Sequence, residues 1–285
     1  MKNTQEVFYV KDTFPEYLSK KDFIAASDIK TFLNSPKLYF YQKYIQEEKS
    51  TQRHFALGSA LHELVMEPEL LHLHYITFPK VDKRTKEGKL AYEEYLIKAE
   101  DKVVLYDDEM VMLENIASNA KKNKTLVSLI EDSYKELSCY TVDEKTGLKL
   151  RMRPDMLCKT KSTIVDIKSC LDSSPRKFKS DVFSYGYSMS AAYYSDFIGR
   201  DNYIFAAMEK KQPYQVSLYV CNDDMIEAGR QKYRTGLDLL KWSYDNSFWC
   251  NYVEFELLKK IYLEGNLKDA MSMFNIQKKP LIHIL

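Results

Sequence analysis

The chain has 285 residues, of which 45% are hydrophobic and 29% charged, and its 42 Lys and Arg against 41 Asp and Glu give a formal net charge of +1. This length fits one large domain or a domain with an accessory lobe, and the composition excludes collagen-like and low-complexity chains. The charge balance argues against a nucleic-acid binder that relies on overall positive charge, but it leaves room for a local basic groove.

The sequence also argues against membrane insertion and against a disulfide or cluster-bearing scaffold. No apolar run approaches the about 18–20 residues that a membrane helix needs, and the N-terminal segment lacks the apolar core of a secretory signal. The five cysteines form no Cys-x-x-Cys pair, which predicts reduced thiols, no zinc and no iron–sulfur cluster. We therefore expect a cytoplasmic protein.

The first half of the chain is predicted to be mainly helical. Apolar residues recur at helical spacing from residue 22 onward, with Ser27 as a candidate N-cap and Pro36 opening a second helix. A charged segment at 80–100 is typical of an exposed loop that leads into a helix. The helical segments are predicted at 22–48, 56–66 and 107–132.

The pattern changes near residue 136, where short alternating segments predict strands. The first two strands are joined by a turn in which Gly147 supplies a positive φ, and the third is apolar, as a central strand is. The predicted strands are 136–142, 148–157, 162–169, 203–209 and 214–220, and the predicted helices are 175–184, 187–199, 223–244 and 251–275. This order predicts a mixed α/β core preceded by a helical lobe.

One group of charged residues stands out within these strands. Asp155 lies near the end of one predicted strand, and Asp166 and Lys168 lie two apart on the next, so that their side chains share a face. If the strands are neighbours, the two carboxylates repel each other unless a cation lies between them. Such oxygen ligands suit Mg²⁺ or Mn²⁺, which polarises a phosphoryl oxygen and activates water. Lys168 could then orient that water or stabilise the developing charge.

A simpler interpretation exists for these residues. An Asp and a Lys two apart on a strand commonly form a solvated surface pair worth about 0–1 kcal/mol. However, Asp166 lies inside the apolar run 163–167, where a charge without a partner is unfavourable. The flanking residues therefore favour a functional site over a surface pair.

The same segments resemble a known family. RPDMLC followed by STIVDIKS resembles the signature of the PD-(D/E)XK nucleases, and further blocks within residues 22–245 resemble the exodeoxyribonuclease VIII (RecE-type) domains and their phage relatives. These blocks are ASDIKTFLNSPKLYFYQKY, GSALHELVMEPE, DKRTKEGKLAYEEY and MEKKQPYQVSLYV. The resemblance implies an α/β (α+β) restriction-endonuclease-like core with a mixed central sheet flanked by helices, plus a helical N-terminal lobe.

The resemblance also implies a metal site. Matched residue by residue, the ligands are His62, Asp155, Asp166 and the backbone carbonyl of Ile167, and Lys168 is the catalytic lysine. A histidine on an apolar helix face is more commonly a core residue, but the position of His62 in the GSALHELVMEP block favours a ligand. The implied cofactor is Mg²⁺ or Mn²⁺.

Three further residues have supporting roles with open alternatives. Glu136 matches an acidic position before the hairpin and is either an outer-sphere ligand or a solvated glutamate. Arg151 and Arg153 share a face at the edge of the predicted site. They either bind phosphate through bidentate hydrogen bonds or are ordinary surface charges of a strand.

The sequence departs from the family at one position. Ser190 and Tyr194 stand where the family has Gln-x-x-x-Tyr, and residues four apart share a helix face. Ser190 lacks the amide of a glutamine, which puts in doubt a contact to a DNA end or to the nucleophile, but not metal binding.

These observations predict a metal-dependent DNA exonuclease, and the resemblance implies that it digests one strand of linear double-stranded DNA, 5′ to 3′, to give single-stranded tails for phage-type recombination. The resemblance implies double-stranded DNA ends as substrate, a ring-like homo-oligomer and a single-strand annealing partner in the cytoplasm of a bacterial host. We expect a single nuclease domain over 1–285, with a helical lobe at 22–135 that carries His62, a core at 136–245 and a helical tail at 246–285. Two alternatives remain, namely an endonuclease or nickase on the same fold and a DNA- or partner-binding protein with impaired catalysis.

Overall fold

The computed structural model describes residues 6–46 and 53–274 of the chain. Its helices are α1 (Phe14–Ser19), α2 (Ala26–Asn34), α3 (Pro36–Phe40), α4 (Arg53–Met66), α5 (Leu71–His74), α6 (Lys86–Ala99), α7 (Asp107–Lys122), α8 (Lys124–Glu131), α9 (Pro175–Ser184), α10 (Tyr187–Ile198), α11 (Asp223–Asn246), α12 (Tyr252–Leu263) and α13 (Ala270–Met273). A π-helical turn at Tyr41–Ile45 follows α3, and a 3₁₀ turn at Leu267–Asp269 precedes α13. Its strands are β1 (Phe8–Val10), β2 (Tyr75–Phe78), β3 (Val103–Tyr106), β4 (Ser133–Lys135), β5 (Ser138–Val142), β6 (Lys149–Met152), β7 (Met156–Cys158), β8 (Thr163–Cys170), β9 (Asn202–Glu209) and β10 (Val216–Val220).

Five strands form the central sheet, in the order β10-β9-β8-β7-β4. β8 and β9 run parallel, so that Asp166 pairs with Phe205 and Lys168 pairs with Ala207, and the other neighbours run antiparallel. β5 and β6 form an antiparallel hairpin that belongs to a separate three-stranded sheet, in which β5 also pairs with β1. β2 and β3 form a third sheet as a parallel pair.

Both faces of the central sheet are buried. Side chains alternate along β8, so that Ile164 lies in one apolar cluster while Val165 and Ile167 lie in the other. The first cluster includes residues of α2, α9, α10, α11 and α12, and the second includes residues of α4, α7 and α8. Asp166 and Lys168 therefore point from β8 toward the same helical layer as Ile164.

Two glycines bring α11 close to its neighbours. A Cβ atom on Gly229 would lie 2.0 Å from the carbonyl oxygen of Ser188 in α10, and one on Gly236 would lie 2.3 Å from Ile29 Cγ2 in α2. Any larger residue at these crossings would push the helices apart. α11 therefore holds α2 and α10, the two helices that cover the Asp166 face of the sheet.

The predicted helices occur: 175–184 matches α9, α4 and α11 extend beyond the predicted 56–66 and 223–244, and other segments contain additional breaks. The segment 107–132 divides into α7 and α8, because Asn123 ends the first helix and caps the second by accepting the Leu126 N–H. Ser27 as the N-cap of α2 is wrong, since Ala25 is the cap residue and the Asp28 carboxylate accepts its N–H. Residues 47–48 of the first predicted helix, and the tail from residue 275 onward, lie outside the described residues.

The predicted strand 148–157 is interrupted at Pro154. β6 ends at Met152 and β7 begins at Met156, because proline has no N–H to donate to a sheet ladder. The chain thereby passes from the three-stranded sheet to the central sheet, and Asp155 lies in the link between them. The sequence pattern does not predict α1 or strands β1, β2 and β3.

All five cysteines are free. Among the described helices, none combines the length and the apolar character that a membrane crossing requires.

Candidate active site

The β6–β7 link and β8 bring the predicted carboxylates and lysine together. Asp155 Oδ2 accepts the backbone N–H of Ile167 at 2.6 Å, which fixes the link against β8. Lys168 Nζ forms an ion pair with Asp166 Oδ2 and lies 3.5 Å from the carbonyl oxygen of Ile167. Two carboxylates, an ammonium group and a backbone carbonyl therefore lie at one place on the sheet.

His62 reaches the same place from α4. Its Nδ1 atom lies 3.3 Å from Asp155 Oδ1, although the two residues are 93 positions apart in the sequence (155 − 62). The apolar side of α4, which includes Leu61 and Val65, packs in the cluster that also contains Val165 of β8. That packing positions α4 so that the His62 side chain lies beside the carboxylates.

Glu136 lies closer to these groups than the sequence alone indicates. Ligand atoms of His62, Glu136 and Asp155 all lie within 4.8 Å of one another, and this group does not include Asp166. The backbone of Glu136 has φ of +47°, a left-handed conformation that is unfavourable for a residue with a side chain. Its N–H donates to the carbonyl oxygen of Asp155 at 3.0 Å, and Arg153 Nε donates to its carboxylate at 3.0 Å. These two bonds hold Glu136 beside Asp155.

Burial and neighbouring charges shift the pKa values of this cluster in different directions. Burial raises the pKa of Asp166 more than the adjacent Lys168 ammonium lowers it, and the Asp155 carboxylate adds to the increase. Burial acts in the same sense on Asp155, but His62, Lys168 and the Ile167 N–H outweigh it and leave the pKa of Asp155 below its usual range. Burial disfavours charge on His62, yet the Asp155 carboxylate raises the pKa of that imidazole above its ordinary value. Asp155 is thus well compensated as a carboxylate, and Asp166 is not.

The donor set fits a hard divalent cation. Among the described residues, the buried Asp166 Oδ2 contacts the Lys168 ammonium as a close ion pair, but unlike Asp155 it accepts no backbone N–H. A cation would satisfy this oxygen and reduce the repulsion between Asp155 and Asp166. Carboxylate and carbonyl oxygens are ligands that suit Mg²⁺ or Mn²⁺, and His62 would add one imidazole nitrogen.

A cavity of about 440 Å³ opens onto these side chains. α2 and α10 form two of its walls, and Phe14 and Tyr185, which are 55% and 52% exposed, lie at its mouth. Its lining includes Phe14, Tyr17, Ala26, Ser27, Lys30, His62, Glu136, Arg151, Arg153, Asp155, Asp166, Lys168, Tyr185, Tyr187, Ser190 and Tyr194. Every residue that is predicted to act through its side chain therefore lines this cavity. Residues of α1 and α2 line it as well.

Arg151 and Arg153 line the cavity, but both guanidinium groups bind within the fold. Arg151 Nη1 donates to three backbone carbonyls within residues 17–20, while its buried Nε has no partner among the described residues. Arg153 donates to Glu136 and to the Ser138 hydroxyl. These contacts position neighbouring groups, and phosphate binding by either arginine stays a prediction.

Ser190 and Tyr194 both face the cavity from α10, as their spacing predicts. Burial raises the pKa of Tyr194 well above that of a free tyrosine. The phenol is therefore neutral and can donate or accept a hydrogen bond.

The cavity residues that the sequence reasoning missed include residues of the N-terminal segment and of α2, and Tyr185 at the end of α9. Phe14 and Tyr17 belong to α1, which a capping box between Thr13 and Glu16 marks in the sequence. No comparable signal marks Lys30, because its place in the cavity depends on how α2 packs on α11.

Comparison with known proteins gives one family match. Residues 25–258 match the model of a family described as a PDDEXK-like domain of unknown function (DUF3799). No curated protein matches the chain.

Two solved structures were found to be similar to this chain at low sequence identity. A crystal structure of a candidate exonuclease from Eubacterium rectale is 13% identical, with a TM-score of 0.55 over 95% of this chain and 96% of that chain. An alkaline exonuclease from Laribacter hongkongensis is also 13% identical and covers 88% of this chain and 99% of that chain, but its TM-score is 0.30. Only the first is similar enough to support the fold.

Proposed function

Because this chain belongs to the PDDEXK-like family that its residues 25–258 match, we propose that it is a divalent-metal-dependent nuclease that hydrolyses DNA phosphodiester bonds. The family match bears out the predicted PD-(D/E)XK fold. The activity is supported above all by the convergence of His62, Asp155, Asp166 and Lys168 on one cavity. Buried carboxylates repel a phosphate backbone, so a protein that only binds DNA has no use for them at the base of its groove.

In this proposal the site residues are either metal ligands or, in the case of Lys168, a group that stabilises the transition state. His62, Asp155, Asp166 and the Ile167 carbonyl would hold the cation, and a bound Mg²⁺ or Mn²⁺ supplies a Lewis acid that polarises phosphate and lowers the pKa of water. The Ile167 N–H orients the Asp155 carboxylate, and Arg153 orients Glu136. Lys168 stabilises the negative charge that develops on the phosphate oxygens.

The first turn of α2 supports recognition of a terminal phosphate. Ala26 and Ser27 line the cavity at a helix N-terminus, where backbone N–H groups carry partial positive charge, part of which the Asp28 carboxylate of the same turn offsets. Lys30, one turn further, lines the same cavity, and its Nζ donates to the Tyr185 carbonyl at 2.7 Å. We therefore propose an exonuclease that holds the 5′-phosphate of linear double-stranded DNA here and digests 5′ to 3′.

The aromatic mouth of the cavity supports contact with nucleobases. Phe14 and Tyr185 are half exposed beside the site, and exposed rings next to a phosphate site are suited to stacking on bases that leave the duplex. We assign them to holding the nucleotide that is next to be cleaved.

Three further parts of the proposal rest on the sequence resemblance to exodeoxyribonuclease VIII. They are a single nuclease domain with the bounds given above, a ring-like homo-oligomer, and a single-strand annealing partner in the cytoplasm of a bacterial host. The formal net charge of +1 is compatible with a ring whose channel is basic and whose outer face is acidic.

A time course on end-labelled linear duplex DNA tests this proposal. With Mg²⁺ or Mn²⁺ we expect release of nucleotides from 5′ ends and accumulation of single-stranded tails, with no digestion in EDTA and none of covalently closed circles. Cleavage of the circles would favour an endonuclease or nickase. Tight DNA binding without cleavage under any metal would favour the catalytically impaired alternative.

Lys30→Ala is expected to weaken the preference for 5′-phosphorylated ends. The rate on phosphorylated duplex should fall about tenfold, the effect of losing ~1.4 kcal/mol of charge-assisted phosphate binding, and the rate on 5′-hydroxyl ends should change little. Lys37→Ala, an exposed lysine on α3, is the matched control and should behave as wild type. Equal losses on both kinds of end would place Lys30 outside the terminal phosphate site.

Tyr194→Phe is expected to slow cleavage at saturating DNA, because it removes a hydroxyl from the cavity wall. Ser190→Gln should be tolerated or should raise the rate, because an amide there restores the contact that serine is too short to make. Nuclease rates are compared with melting temperatures for both variants. An unchanged rate for Tyr194→Phe would remove Tyr194 and Ser190 from the residues that act in cleavage.

A further inference from the structure

We propose that Tyr187 is a positioning residue for Lys168, and that its ring keeps the lysine ammonium in the cavity once a cation has taken the lysine's polar partners. The inference deepens the proposed nuclease function and rests on it. Tyr187 begins α10 and lines the same cavity as Lys168.

Three groups surround the Lys168 ammonium among the described residues. Asp166 Oδ2 forms an ion pair with it, the Ile167 carbonyl oxygen lies at 3.5 Å, and the centre of the Tyr187 ring lies at 5.1 Å. The lysine side chain is 24% exposed. An ammonium over the face of a tyrosine at this distance is attracted by the ring's negative face, more strongly where water is displaced.

Two of these three groups are the proposed metal ligands. A cation held by Asp166 and by the Ile167 carbonyl would compete with Lys168 for these two acceptors, and it would repel the ammonium. The Tyr187 ring offers no lone pair to such a cation at this site, so its contact with Lys168 does not compete with metal binding. The ring is therefore the group that can hold Lys168 toward the cavity in the metal-loaded enzyme.

The ring of Tyr187 is itself held in place. Gly186, with φ of +70°, lets the chain turn from α9 into α10, and the Tyr187 ring lies 5.6 Å from the Tyr185 ring and 6.0 Å from the Phe205 ring. Phe205 pairs with Asp166 across the β8–β9 ladder. Phe205 thus connects β8, which carries Asp166, with the Tyr187 ring, which faces Lys168.

Kinetic measurements on two substitutions of Tyr187 and on one control substitution separate this role from a purely structural one. Tyr187→Leu should lower kcat about tenfold with KM for DNA within about twofold, and Tyr187→Phe, which keeps the ring, should stay within about twofold of wild type. Phe178→Leu removes a buried ring that packs on Phe205 but does not line the cavity. It should lower the melting temperature at least as much as Tyr187→Leu and leave kcat unchanged.

The position of the Lys168 side chain can also be measured without an activity assay. In enzyme labelled with ¹³C at lysine Cε, the Lys168 resonance, identified by its absence in Lys168→Ala, should show an upfield ring-current shift with Mg²⁺ bound and no DNA. The shift should persist in Tyr187→Phe and disappear in Tyr187→Leu.

The outcomes distinguish this inference from the proposed function. A wild-type enzyme that cleaves DNA but whose Lys168 shows no ring-current shift with Mg²⁺ overturns the inference alone, as do equal losses of kcat in Tyr187→Phe and Tyr187→Leu. A wild-type protein without metal-dependent cleavage overturns the proposed function.

Discussion

Asp166→Asn is expected to reduce DNA cleavage by about four orders of magnitude, the scale seen when the carboxylate of a catalytic triad is replaced by its amide. The amide keeps the size of the carboxyl group but removes the charge that would bind the cation. Cleavage is measured at saturating DNA with Mg²⁺ on protein free of wild-type enzyme. Cleavage at the wild-type rate would show that the assignment of the site is wrong.

The same substitution is expected to leave the fold intact. Burial raises the pKa of Asp166, so the stability this group contributes is complete below its unfolded pKa and is lost as pH rises through the folded value. At about pH 8 without metal, the buried carboxylate is unfavourable, which offsets the loss of its ion pair with Lys168, so Asp166→Asn should melt close to wild type. Mg²⁺ should raise the melting temperature of wild type but not of the variant.

A matched control is available on α9. Asp181 is also a buried carboxylate, but it pairs with Lys177 and does not line the cavity. Asp181→Asn should therefore keep the cleavage rate and the stabilisation by Mg²⁺. If both variants lost cleavage equally, the loss would report on buried carboxylates in general rather than on the site.

Lys168→Ala is expected to lower kcat about 100- to 1000-fold, equivalent to ~2.7–4 kcal/mol of transition-state stabilisation. The dissociation constant for DNA, measured with Ca²⁺ in place of Mg²⁺, should change by less than about threefold, because a group that acts in the transition state contributes little to ground-state binding. The exposed Lys179 on α9 is the control, and Lys179→Ala should change neither quantity. Binding lost in parallel with rate would make Lys168 a DNA-docking residue.

The local part of the site could be predicted from sequence. Alternation along Thr163–Cys170 places Asp166 and Lys168 on one face, and the i, i+4 spacing places Ser190 and Tyr194 on one wall of the cavity. These predictions succeed because a strand or a helix fixes which side chains share a face, whatever the element packs against.

The remaining features depend on contacts between distant segments. Pro154 signals a break, but the transfer from one sheet to another depends on which strands β6 and β7 pair with. The left-handed backbone of Glu136 is stabilised by a bond to Asp155, and no residue near Glu136 in the sequence signals it. His62 reaches the carboxylates only through the packing of α4, and only the family resemblance, not periodicity, indicates its role.

The most direct test of the metal site is an anomalous difference map from crystals of the full chain grown with Mn²⁺. We predict a Mn²⁺ peak bounded by His62, Asp155, Asp166 and the Ile167 carbonyl. The peak should be absent from crystals of Asp166→Asn. A Mn²⁺ peak elsewhere in the molecule, or a peak at this place that persists in Asp166→Asn at equal occupancy, would contradict this prediction.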